Sequence, residues 1–69
     1  MAEMNRITKA GNSASVIGQV GALLARENKH ELFDSYHEEA KNCAGYFDFI
    51  NYTEHFCAVH GIQVEFIQT

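Results

Sequence analysis

The run HFCAVHG, residues 55 to 61, places two histidines and a cysteine within seven positions. Imidazole and thiolate are zinc ligands and also the partners of a Cys–His nucleophilic pair, so the spacing must decide between metal binding, catalysis and neither. On a helix each residue turns about 100°, which sends His55 and Cys57 to opposite sides. Cys57 and His60, one turn apart, can share a face. Two ligands fall short of the four that a structural zinc site takes, and Cys43 stands too far back for zinc-finger spacing. A metal or redox module would therefore have to gather Cys43, Cys57, His60 and a further residue such as His37. Against it, free cysteines commonly serve as small buried hydrophobes.

Catalytic equipment is sparse. Cys57 with His60 lacks a nucleophile elbow or a glycine loop that could supply an oxyanion donor. The carboxylate pairs Asp34/Glu38 and Glu38/Glu39 fall on a solvated helix face, and so short a chain leaves little room for a substrate pocket of several hundred cubic ångströms. The expectation is a protein that is not an enzyme and needs no cofactor. His60 then reads as a helix-end cation that complements the dipole.

The elements around these residues follow from period and punctuation. Proline is absent, so glycine, asparagine and changes of period mark the breaks. AGNSAS opens a first helix over about residues 13 to 27, with Asn12 or Ser13 as its cap. Val16, Ile17, Val20, Leu23 and Leu24 form its buried stripe. Ala14, Gly18, Gly21, Ala22 and Ala25 form a small-residue face that another backbone could approach closely. NKHELFDSYHEEAKNC reads as a second helix with Asn28 as a cap, Leu32, Phe33, Tyr36, Ala40 and Cys43 inward, and Glu31, Asp34, Glu38 and Glu39 outward. A third helix spans about residues 46 to 59, its apolar side made of Tyr46, Phe49, Ile50, Phe56, Cys57 and Val59. Phe47 and Tyr52 fall off that stripe. Gly61 is a left-handed helix stop, and IQVEFIQ behind it alternates as a strand.

Charge narrows the class of function. Up to residue 29, Arg6, Lys9, Arg26 and Lys29 meet Glu3 and Glu27, whereas from residue 30 onward seven carboxylates face Lys41 alone. Direct binding of DNA or RNA needs a positive footprint that releases counterions, which this chain lacks. An acidic face suits a basic partner, itself a nucleic-acid-binding protein on the sharpest reading, or serves only solubility. With two cysteines, no signal peptide at the start and no apolar run that spans a bilayer, the chain reads as a cytoplasmic protein with reduced thiols.

ITKAGNSASV resembles the opening of the swapped-hairpin antitoxin and transition-regulator family, in which a GNS turn lies between two strands. The match covers Gly11, Asn12, Ser13 and Val16. No bulky aromatic precedes Gly11, no Ile-Pro pair follows, and the next stretch has a helical pattern. The likeness is taken as accidental, and no residue is carried over from it.

The lone strand is the most informative element. Its backbone groups must be paired, by the N-terminal EMNRIT, by a second copy across a two-fold axis, or by the sheet of another protein. The whole is expected to be one small α+β domain over residues 1–69, three short helices with a C-terminal strand. A domain of this size buries only about 60% of its unfolded surface. Its expected role is to bind another protein as a stoichiometric inhibitor or antirepressor of the kind mobile elements encode. The expected contacts are Glu31, Asp34, Glu38, Glu39, Phe47, Tyr52, Val64, Phe66 and Ile67. The alternatives are the Cys/His module and a structural homodimer built on the small-residue face and the strand.

Overall fold

A computed structural model describes residues 4–9 and 12–68. In chain order these form β1 (Asn5–Lys9), α1 (Ser13–Arg26), a 3₁₀ turn (His30–Leu32), α2 (Phe33–Lys41), α3 (Tyr46–Val59) and β2 (Val64–Gln68). The fold is thus the α+β arrangement expected, with the N-terminal segment as the second strand. The two strands pair in parallel, from Asn5 opposite Val64 to Lys9 opposite Gln68. Parallel neighbours cannot be joined by a tight turn, and here all three helices form the crossover between them.

α1 begins at Asn12, whose side-chain oxygen accepts from the Ser15 N–H at 3.1 Å. That bond satisfies one of the free donors of the first turn. Ser13 starts a helix and not an alternating strand, in line with setting the antitoxin likeness aside; Ala10 and Gly11 lie outside the described residues. Val16, Val20, Leu23 and Leu24 turn inward as the period requires.

The small-residue face behaves differently from expectation. No backbone packs on it: Ala14, Gly18, Ala22 and Ala25 are exposed. At Gly21 the neighbour is the Phe33 ring, which a Cβ would meet at 3.0 Å. The exposed positions keep the helix because alanine is the best helix former, and Gly18 has open space around it.

α1 and α3 end in the same device. Asn28 has φ 61° and Gly61 has φ 73°. Each left-handed residue donates to the second carbonyl from the helix end, Asn28 to Ala25 and Gly61 to Ala58, both at 3.1 Å. The next residue reaches one carbonyl further back, Lys29 to Leu24 at 2.7 Å and Ile62 to Cys57 at 2.8 Å. These are Schellman motifs, which use up carbonyls the helix leaves free. Asn28 therefore closes α1 and does not cap the second helix, whose start is the 3₁₀ turn into Phe33. α2 is also shorter than expected. It ends at Lys41, so Cys43 lies in the connection to α3, half-buried.

Between sheet and helices lies a core of Ile7, Val16, Val20, Leu23, Leu24, Tyr36, Ala40, Phe49, Phe56, Cys57 and Ile62. No helix among the described residues is long and apolar enough to cross a membrane.

Candidate protein-binding surfaces

The expected contact residues divide between the helical elements and the sheet. On the first, Glu31, Asp34, Glu38 and Glu39 are all exposed. Glu38 pairs with Lys41 at 3.1 Å, one helical turn away. Among the described residues Glu31, Asp34 and Glu39 form no ion pair, because the one other bridge joins Arg6 to Glu65 at 3.9 Å on the strands. Exposed carboxylates of this kind add little to stability. Their field still reaches about 8 Å at physiological salt, which suits them to steering an approaching cation.

Phe47 stands on the first turn of α3 with its side chain 82% exposed. Tyr52, its companion in the sequence pattern, does not share that exposure. Its ring is half-buried, stacked on Tyr36 at 5.8 Å and 10°, with Phe56 against its edge. Burial, and then the nearby Glu39 carboxylate, push its hydroxyl pKa up. Tyr52 thus gives most of its area to the fold and joins α2 to α3, leaving a partner only its rim. Val59 corrects the pattern in the other direction: placed on the apolar side of the third helix by its spacing, it is exposed, as is Met4.

The second surface is the free edge of the sheet. Asn5 donates its N–H to Gln63 at 2.9 Å, and in a parallel ladder successive residues send both backbone groups to alternate sides. Arg6 and Thr8 therefore point away from β2, while Val64, Phe66 and Gln68 point away from β1. The outer side of β1 is engaged at Thr8 by Gln19 of α1. Its amide accepts from the Thr8 N–H and donates to the Thr8 carbonyl, each at 2.9 Å. Nothing equivalent covers β2 among the described residues. Side chains alternate too, so Phe66 lies on the core side opposite Ile7, whereas Ile67 lies on the outer face beside Arg6, Thr8 and Glu65. Gln19 carried no signal in the sequence, since a glutamine on a helix usually faces water.

The histidines and cysteines are scattered among other contacts. Cys57 is buried in the core and its thiol pKa is pushed up to about 11 by burial. Cys43 points its Sγ at the Glu39 carbonyl, 3.6 Å away. The His60 ring packs on Phe56 at 4.6 Å, and His37 stacks on Phe33 at 5.7 Å. Among the described residues no three His, Cys, Asp or Glu side chains gather where they could hold a metal ion.

The surface has more room than the chain length suggested. One groove of about 600 Å³ lies between the start of α1 and the α2–α3 connection, and a second of about 390 Å³ lies beside β2. The first is lined by Asn12, Ser13, Lys41, Cys43, Tyr46 and Phe49 among others, with no histidine or carboxylate among the described residues that line it. The Tyr46 hydroxyl at its wall is buried without a partner. The second contains Glu54 and no nucleophile among the described residues that line it.

No protein-family model, curated protein or solved structure matches the chain.

Proposed function

We propose that this chain is a protein-binding module that acts in the cytoplasm as a stoichiometric inhibitor, covering a basic surface on a nucleic-acid-binding protein. The observation that carries the reading is Phe47, a large apolar side chain held 82% exposed at the start of a helix. Burying a phenylalanine is worth about 1.5–3 kcal/mol, and the chain itself leaves that gain unused. Aromatic anchors beside a charged rim are the usual composition of an interface centre. The exposed carboxylates Glu31, Asp34, Glu38 and Glu39 on the preceding helical elements would draw in a cationic partner before Phe47 and the edge of Tyr52 make contact. The antirepressor form of this activity is simple masking: the partner's phosphate-binding side chains are occupied by carboxylates.

The test is capture from lysate of the source organism after nuclease treatment, with the wild-type chain and Phe47→Ser run side by side. One nucleic-acid-binding protein retained by the wild type at near-equal stoichiometry, and released from nucleic acid as the chain is added, supports masking. Equal retention by Phe47→Ser, or a partner that still binds nucleic acid while held, rules it out.

A further inference from the structure

The open edge of β2 is not used by the α2–α3 surface, and its backbone groups still require partners. We propose that it is closed by the same edge of a second copy, with the two β2 strands antiparallel across a two-fold axis at Phe66. The product is a four-stranded sheet, β1 and β2 from each copy.

Charge favours a second copy at this place. The chain carries a net charge of −4, yet the strands hold Arg6 and Lys9 against Glu65 alone. Two like chains therefore meet along strands that are not themselves acidic, with Glu54 in the groove beside β2 as a nearby helical carboxylate, and Glu31, Asp34, Glu38 and Glu39 lie on other helical elements. The one carboxylate on the strands themselves, Glu65, already has Arg6 beside it.

Charge and length together choose the register. The outward groups of Val64, Phe66 and Gln68 allow several two-fold alignments. An axis at Glu65 would set Glu65 against its own copy, and like charges directly opposite are destabilising. An axis at Ile67 would shorten the overlap of the five-residue strand. An axis at Phe66, the strand's midpoint, pairs all five residues and sets Glu65 opposite Ile67 of the second copy. The half-buried Phe66 rings then face one another on the core side, an aromatic cross-strand pair. Gln68 of the second copy falls opposite Val64, at the wall of the groove formed with Met4, Ala58 and Ile62.

The experiment reads mass and register separately. Light scattering over a dilution series should give twice the 7.8 kDa chain mass, falling to the single mass on dilution. Val64→Pro removes an outward N–H that β1 does not use and places a ring in the path of the incoming strand. It should be monomeric with unchanged circular dichroism. In a Cys43→Ser background, Glu65→Cys and Ile67→Cys chains mixed and oxidised with diamide should form a disulfide dimer. The pair is of the close, non-hydrogen-bonded kind, about 4.5 Å between Cα atoms and within disulfide reach. Neither variant alone should cross-link. A monomer throughout the series, a Val64→Pro dimer, or an absence of cross-links in the mixture overturns the proposal. If Val64→Pro fails to fold, the cysteine mixture decides. Each of these outcomes leaves the reading of the α2–α3 surface untouched.

Discussion

The hydroxyls of Tyr36 and Thr53 lie 2.9 Å apart in the interior, with both residues 0% exposed. This bond joins α2 to α3 and lets Tyr36 fill the centre of the core without an orphaned oxygen. Burial pushes the Tyr36 pKa up to about 12 despite the bond to Thr53. Thr53→Val keeps the shape and removes the partner, so it should cost about 1–3 kcal/mol, the penalty of an unpaired buried hydroxyl. Tyr36→Phe combined with Thr53→Val should recover most of that loss, because neither oxygen is then left unpaired. Urea unfolding of the two singles and the double gives the coupling. If the losses of the singles simply add in the double, the bond contributes nothing of its own.

The two glycines inside α1 should respond differently to alanine. At Gly18 a Cβ meets nothing within 4 Å, so Gly18→Ala should gain about 0.5–1 kcal/mol from helix propensity. For a domain of this size that is a rise of several degrees in the melting midpoint, at about 4–8 °C per kcal/mol. At Gly21 the same methyl stands 3.0 Å from Phe33 Cε1. The ring is stacked on His37 and tilted against Tyr36, and has little freedom to retreat. Gly21→Ala should therefore fall below Gly18→Ala in a thermal melt. Equal midpoints would mean that the ring moves freely.

How much of this was legible in the sequence depended on whether the signal was local. Gly61 announces a helix stop because few other residues take positive φ readily, and β2 announces itself by its alternation. Asn28 has the same backbone role, but asparagine also caps helix starts, so its neighbours alone assign it to the wrong helix. Phe47 and Tyr52 both fall off the apolar stripe of α3. Only the placement of Tyr36 on α2 decides that Tyr52 is stacked and Phe47 is left in water. Thr53 and Gln19 were invisible for a related reason. Each polar group is satisfied by a residue distant in sequence, Tyr36 in one case and Thr8 in the other.

Alkaline pH should unfold the protein through groups that are buried uncharged. The Cys57 thiol ordinarily titrates near 9.0 and in the fold near 11, and Tyr36 moves from 10.0 to about 12. Both are acids with raised folded values, so the unfolded chain releases its protons first as pH rises. The stability tied to Cys57 is complete below pH 9.0 and is lost as pH rises through about 11. The thermal midpoint should hold from pH 7 towards 9 and then fall. Cys57→Val, similar in volume and unable to ionise, should flatten the first part of that fall and leave the part due to Tyr36. A Cys57→Val variant with the wild-type pH profile would remove the thiol from the account. Alkylation followed by mass spectrometry should label Cys43 well before Cys57 in the native state.

The two halves of the proposed partner surface should separate kinetically. Glu38→Lys with Glu39→Lys reverses charges in the last turns of α2, where cations complement the helix dipole, so the fold should tolerate the change even though Glu38 loses its bridge to Lys41. Its effect should fall on association, which slows and loses salt dependence, because exposed rim charges act on encounter. Phe47→Ser should leave the unfolding free energy measured in urea within about 0.5 kcal/mol of wild type, as expected for an exposed side chain. Its effect should fall on dissociation, faster by about tenfold or more if the ring's burial contributes at least about 1.4 kcal/mol to the complex. Surface plasmon resonance against the captured partner at several salt concentrations resolves both rates. A double lysine variant with an unchanged salt slope would show that the carboxylates do not steer, and a Phe47→Ser complex that dissociates at the wild-type rate would move the anchor elsewhere on α3.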